Sequence, residues 1–327
     1  MKLTLALPAL LRRPDETPPP LKLPAFNQIL RYGRLQRHAQ RPSEFYARYL
    51  WRGSLLAQAK RALNLPEHQI AVFASPLWQQ MGMNHVSMIG GEHIGILPDE
   101  AERLCADLSA FYAQDSWRFY PWRPDLWLAT LPSEPDWQVA PVLDVCGQIG
   151  NPEAAEGANA LIWLGKQTEI QMWLHGHPLN GKRIACKQPA VNGLWLWTDL
   201  VGSQTAILTA SDSPWAQSSD GLKADAPYDF QAWQEIVAEQ GQKVSDGLIF
   251  LDDLIATAQT GDVWAYQEIL ESWETRWFAP LWQEVCAGRL KELVIATDGE
   301  NGGEVVVTPQ SKWAFWRKGK PFDGIAL

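Results

Sequence analysis

Eighteen tryptophans in a chain of 327 residues set the first constraint on the fold. Each indole has a large apolar area to remove from water and one N–H that needs an acceptor once buried. A chain with so many must build an extensive core or present aromatic surface to something else. Trp273 and Trp277 are one helical turn apart, and Trp195 and Trp197 would share one side of a strand. Three uses stay open at this level: packing within and between subdomains, a protein-binding face, or a platform for stacking sugars or bases. A formal charge of −9 argues against nucleic acid, because single-strand grooves are basic as well as aromatic.

Hydrophobic periodicity predicts an α/β protein: a mixed β-sheet flanked by helices, with a C-terminal β-hairpin. Leu3 to Ala6 reads as a first strand, and the prolines between 14 and 24 enforce an extended loop. A helical stretch is expected from Ser43 to Leu63, then a short strand, Ile70 to Ala74, bounded by Pro76. Pro98 to Gln114 is a helix with Ala101, Leu104, Cys105, Leu108, Phe111 and Tyr112 on one face, and Asp99 with Glu102 outlines a capping box. Leu126 to Thr130 is a strand. The Pro-, Gly- and Asp-rich segment 132–150 is the expected boundary between two α/β halves, 1–145 and 146–327, which are free to pack as one domain.

Beyond it, helices are expected over Pro152 to Leu174, Phe230 to Glu239, Gly247 to Gln259 and Asp262 to Ala287, with a strand at Ala206 to Thr209. Leu293 to Ala296 and Val305 to Thr308 flank Asp298-Gly299-Glu300-Asn301-Gly302-Gly303, a hairpin signal that Trp313 to Trp316 extends.

The opening apolar run, Leu3 to Leu11, holds Pro8 and is followed by no small-residue cleavage site, so it predicts neither a signal peptide nor a membrane span. A cytoplasmic protein is expected, with Cys105, Cys146, Cys186 and Cys286 reduced and buried. The cations Arg31, Arg34, Arg37, Arg41, Arg48, Arg52, Lys60 and Arg61 read as a solvated helix face, or as a phosphate or partner site.

Few residues carry recognisable chemistry. His175-Gly176-His177 would share a metal only on a strand, and Pro178 with the preceding helical pattern makes a helix-end role the better expectation. Asn84-His85 and His93 flank the Gly90-Gly91 turn with no nucleophile near in sequence. Asp252-Asp253 suits a helix N-terminus better than a carboxylate pair, because adjacent helical residues diverge. Phosphate loops, dinucleotide fingerprints and nucleophile elbows are absent from the sequence, and no cofactor or metal is implied. The densest segment is 169–200. There His177, Asn180, Arg183 and Asn192 form a candidate anion site, with Arg183 suited to bidentate phosphate contact. The other reading has Asn180 and Asn192 satisfying loop backbone.

This segment also resembles known families. His177-Pro178-Leu179-Asn180 and Asn192-Gly193-Leu194-Trp195-Leu196-Trp197 are similar to the RpfE-type regulatory proteins of proteobacteria. So are Leu7 to Leu11, Ala74-Ser75-Pro76 with Asn84-His85-Val86, Trp277-Phe278-Ala279-Pro280-Leu281 and Trp313 to Arg317. Locally the same segment is similar to archaeal-type, cofactor-independent phosphoglycerate mutases. That resemblance implies an alkaline-phosphatase-like architecture and a phosphorylated small ligand.

Two departures stand out. Thr198-Asp199-Leu200 replaces the Trp-Gly-x-Gly turn, and the serine with Asp and His ligands for two metals cannot be located. The expectation is therefore a non-catalytic cytoplasmic regulatory or interaction protein, with a protein partner on a tryptophan-rich surface. The alternative is a metal-dependent phosphomutase or phosphatase.

Overall fold

The computed structural model describes residues 1–14, 16–81, 86–146, 149–150, 155–218, 221–240, 244–311 and 319–327. The chain forms two compact units, one of Met1–Gly53 with Gly202–Leu327 and one of Ser54–Val201. The boundary expected at 145 therefore falls inside the second unit.

In chain order the first unit begins with β1 (Lys2–Ala6), α1 (Pro24–Tyr32), β2 (Arg34–Arg37), α2 (Pro42–Leu50) and β3 (Arg52–Ser54). The second unit holds α3 (Leu55–Ala62), β4 (Ala71–Met81), β5 (Val86–Gly90), α4 (Pro98–Phe111), β6 (Arg118–Arg123) and β7 (Leu126–Thr130). It continues with α5 (Val142–Val145), β8 (Ile149–Gly150), α6 (Ala160–His175), α7 (Pro178–Ala185) and β9 (Gly193–Trp197). The chain then returns through β10 (Val201–Ser203), β11 (Leu208–Ala210), β12 (Leu222–Ala224), α8 (Phe230–Glu239) and β13 (Asp246–Phe250). It ends with α9 (Leu254–Thr260), α10 (Val263–Trp273), α11 (Ala279–Cys286), β14 (Glu292–Thr297) and β15 (Gly303–Val307).

The first unit is built on a mixed sheet of order β12-β11-β13-β1-β14-β15-β2. β1 runs parallel to β13 and β14, whereas β14–β15 and β15–β2 are antiparallel. The C-terminal hairpin forms as expected. Flanked on both sides, β1 buries Leu3 and Leu5 completely, as a central parallel strand should. Beneath this face lie Phe26 and Ile29 of α1, Leu270 and Trp273 of α10, and Leu281 of α11.

Two expectations are corrected here. The helix expected over Gly247 to Gln259 is β13 followed by α9, since a short buried apolar run has no period that separates strand from helix. Gly247 is required where it stands, because a Cβ would lie 2.5 Å from the Trp233 ring. The helix expected from Ser43 to Leu63 breaks at Gly53, whose φ of +75° lies in the left-handed region.

The helix expected over Asp262 to Ala287 is α10 and α11 joined by a π-helical turn, Glu274–Phe278. The turn directs buried Glu274 at the start of α1, where its carboxylate accepts the N–H groups of Ala25 (2.6 Å) and Phe26 (3.2 Å). α1 has no side-chain cap of its own, so Glu274 supplies one from 249 positions away.

The second unit has a sheet of order β6-β7-β4-β5-β8, with β9 also paired to β4. β4 runs straight through Pro76, where a strand end was expected. It pairs with β7 as far as Ala74 and with β5 from Leu77, so Pro76 falls between those two ladders, while in the ladder with β9 it stands opposite Leu194. On α4 the capping side chain is Glu100 at the Leu97 N–H (3.0 Å), not the expected Asp99 and Glu102 pair, because Leu97 precedes the first helical residue. α6 begins at Ala160, and residues 151–154 of the expected longer helix lie outside the described set, as do Trp313 to Trp316.

The tryptophans mostly fill cores. Trp163 donates to the Leu196 carbonyl (2.9 Å), Trp195 to Ala140 (2.8 Å) and Trp197 to Ser75 Oγ (2.9 Å). Trp233, Trp273 and Trp277 are fully buried with no acceptor among the described residues. Among the other indoles described, Trp78, Trp122, Trp173 and Trp282 are half-buried and Trp264 is 70% exposed.

Candidate functional site

The four residues singled out in the segment 169–200 lie in the second unit, around α7. His177 is the N-cap of α7: Nδ1 accepts the Leu179 N–H (3.3 Å) and Nε2 lies 3.1 Å from Asp107 Oδ2. Asn180 donates to the carbonyls of Leu174 (2.7 Å) and Val191 (2.8 Å) and accepts the Val191 N–H (2.8 Å). Asn192 exchanges hydrogen bonds with the backbone of Gln79, at 2.6 and 2.9 Å. Arg183, 1% exposed, donates Nε to Pro189 (2.8 Å) and the fork to the carbonyls of Ile94 and Gly95 and to Glu100. The anion that Arg183 grips is thus the chain's own Glu100, which also caps α4. A cavity of about 250 Å³ is lined in part by Arg183, Lys182, Arg103 and Glu100.

Other candidates resolve locally. His175 closes α6 and is exposed. Asn84 and His85 lie outside the described residues, and His93 is exposed in a short 3₁₀ turn. Asp199, in the altered turn after Trp197, accepts the Leu56 N–H (2.8 Å) and so helps Ser54 cap α3. The basic cluster is spread over α1, β2, α2, β3 and α3 and makes no single helix face. Cys105 is buried as expected, but Cys186 is exposed at the end of α7. Burial pushes the Cys146 thiol up to about 12, with help from the charge of Asp125.

A second place emerges from topology. From β11 the chain moves outward to β12, whereas from β13 it crosses β1 to reach β14. The loops leaving β11 and β13 therefore diverge at their carboxyl ends, the position where open α/β sheets bind ligands. Ser211, Asp212 and Ser213 follow β11, Asp252 and Asp253 follow β13, and Asp298 follows β14.

Asp252 and Asp298 among these groups are engaged by the fold. The Tyr46 hydroxyl of α2 donates to Asp252. Burial raises the Tyr46 pKa well above its ordinary value, and the negative charges of Asp252 and Asp298 add to that. The Tyr46 ring meets Phe250 edge-on at 4.9 Å and Trp215 edge-on at 6.5 Å, and Trp215 stacks on Trp51 at 6.0 Å. Asp298 accepts the N–H of Ala9 (2.8 Å), which holds the loop after β1 where Ala9 takes φ +58°.

Sequence reasoning named Asp252 and Asp298 but could not join them, because Tyr46 and Ala9 come from distant segments. The resemblance to mutases implies a serine beside two metals. Among the described residues no three His, Cys, Asp or Glu side chains converge to hold a metal, so those residues do not fit such a centre.

No helix among the described residues is long and apolar enough to cross a membrane. No family model matches the sequence, and no curated protein matches it. Among solved structures the chain is similar to the cofactor-independent phosphoglycerate mutase of Thermoplasma acidophilum, with TM-score 0.43 and 16% identity over 94% of this chain and 89% of that one. It is also similar to the PH0037 protein of Pyrococcus horikoshii, with TM-score 0.48 and 10% identity over 94% and 87%. The strands and helices themselves establish the class: mixed α/β, a mixed sheet flanked by helices.

Proposed function

We propose that this chain is a non-catalytic regulatory or interaction protein of the cytoplasm, in keeping with its sequence resemblance to RpfE-type proteins. The observation that supports the reading is the engagement of the strand-end carboxylates. Asp252 is held by the Tyr46 hydroxyl and Asp298 by the Ala9 amide. Each of these carboxylates gives an acceptor position to the fold, one to an aromatic cluster and one to a loop, and among the described residues no group of three ligand-type side chains forms around them. On this reading the sheet is a scaffold, and recognition of a protein partner falls to the surface.

The test is elemental analysis of the purified chain together with turnover of 3-phosphoglycerate and a generic phosphoester in manganese or zinc. The expected result is no stoichiometric metal and no turnover. Turnover that disappears in Asp252→Asn or Asp298→Asn, with the fold retained by circular dichroism, would overturn the proposal in favour of a metal-dependent phosphomutase or phosphatase.

A further inference from the structure

The sheet of the first unit has a second face. On β1, Leu3 and Leu5 point into the core, so Lys2 and Thr4 point the other way. Strand register sets Asp246 beside Lys2, and Leu248 and Val294 on either side of Thr4. α2 covers the carboxyl end of this face, where Phe45 and Tyr46 meet Phe250 at 5.9 and 4.9 Å. Over the amino end lies a cavity of about 180 Å³, walled by Arg48 and Tyr49 of α2, Glu304 of β15 and segment 203–206. It has room for about six water-sized groups.

Three side chains bring unused hydrogen-bonding capacity to this cavity. Thr4 lines it and is only 8% exposed, yet its hydroxyl has no hydrogen bond among the described residues, and a buried hydroxyl is costly to leave unpaired. The Asp246 carboxylate likewise accepts no hydrogen bond among them. Burial raises it above its ordinary range, so its charge is held at a cost. On Glu304, Arg48 and the Tyr49 hydroxyl (2.7 Å) both meet Oε1, which leaves Oε2 open.

The charges decide what kind of ligand satisfies these groups. Arg48 is taken up by Glu304 and by His38, whose Nε2 lies 3.0 Å away. Lys2 stands 3.7 Å from Glu292 and beside Asp246. Three carboxylates, Asp246, Glu292 and Glu304, thus face two cations, and an anion would meet a surplus of its own sign. Among the described residues no three His, Cys, Asp or Glu side chains converge to hold a metal, so the cation that fits is organic. We propose that the cavity is a binding site for a small hydroxylated amine. Its ammonium group donates to Asp246 and to Glu304 Oε2, and its hydroxyl bonds Thr4. The site lies at the amino ends of the parallel strands, away from Tyr46 and Asp298, and does not rest on the regulatory reading.

An NMR titration of the full chain, observing the ligand, tests the proposal with three molecules of one size: serinol as the cation, glycerol as its neutral counterpart and lactate as an anion. Serinol is expected to bind once per chain with a dissociation constant of about 1 mM, the order that so few atoms allow. Glycerol and lactate are expected to bind at least tenfold more weakly. Asp246→Asn should weaken serinol binding at least tenfold and Thr4→Val about threefold. Both substitutions keep the shape of the side chain, and a thermal scan checks that both variants fold. Glu239→Gln, which neutralises an exposed carboxylate on α8 outside the cavity, should change nothing. No binding of serinol at about 50 mM, equal binding of glycerol or lactate, or a serinol affinity that Asp246→Asn leaves unchanged would each overturn the proposal. So would an equal loss in Glu239→Gln, the mark of attraction to the acidic surface at large.

Discussion

Replacement of Glu274 tests whether the π-helical turn exists to cap a helix that cannot cap itself. α1 begins with Pro24, and its N-cap residue, Leu23, has no side-chain acceptor. The Glu274 carboxylate accepts two of the N–H groups that the first turn leaves unpaired, those of Ala25 and Phe26. Glu274→Ala removes the acceptor in a buried setting. A buried donor left unpaired costs about 1–3 kcal/mol, and the two together set an expected loss of about 3 kcal/mol. Glu274→Gln keeps one carbonyl oxygen and loses the charge, so about 1 kcal/mol is expected, in line with the charge–dipole interaction at a helix start.

The assay is urea unfolding followed by tryptophan fluorescence, because Trp273 and Trp277 are fully buried beside Glu274 and report on this unit. The midpoint should fall while the slope stays constant. In a thermal scan each kcal/mol corresponds to roughly 2–4 °C for a unit of this size. A loss below about 0.5 kcal/mol for Glu274→Ala, within the range of ordinary surface substitutions, would refute the capping argument.

Burial, opposed by Lys2 and reinforced by Glu292, raises the Asp246 carboxyl above its ordinary range. The folded state then binds this proton more tightly than the unfolded state, so stability falls as pH rises through the raised value. Asp246→Asn should therefore be more stable than the native chain at pH 7 and match it near pH 3; a difference independent of pH would sink the assignment. Asn180→Ala leaves the Leu174 and Val191 carbonyls and the Val191 N–H without their side-chain partner, and a loss of about 2–4 kcal/mol in unfolding of the second unit is expected. Unchanged stability there would mean that Asn180 is not needed by the fold. With a thiol reagent, Cys186 should react in the native state, while Cys105, pushed up by burial, should react only on unfolding. Rapid native labelling of Cys105 would contradict its burial.

The sequence carries the class of this fold and several of its elements. β1, β7, α8 and the β14–β15 hairpin are legible because propensity, turn residues and tertiary environment agree there. β13 is not, since Gly-Leu-Ile-Phe has no period, and the space that requires Gly247 is created by Trp233. Pro76 reads as a stop until the three partners of β4 are known. The same limit governs the candidate site. Segment 169–200 announces its polar residues, but Arg183 acquires its meaning from Ile94, Gly95 and Glu100, and those acceptors leave no mark near it in the chain. Asp252 and Asp298 are likewise visible, whereas Tyr46 and Ala9, which hold them, are not.

The insertion of the second unit between residues 53 and 202 also sets a timetable. β1 is made before the second unit, whereas the strands that flank it, β13 and β14, span 246–250 and 292–297 and are made after it. During synthesis the second unit has every strand of its sheet in hand once residue 197 has emerged, and it is free to fold by itself. Leu3 and Leu5 must meanwhile stay soluble on an unpaired strand, the kind of segment that seeks foreign edges. Lys2 at the start of that strand and the Arg12-Arg13 pair beyond it keep charge close throughout the wait. Closure of β1 between its neighbours is thus a late event in the life of the chain, and one with high contact order. A strand made before the inserted unit is enclosed only after that unit is complete.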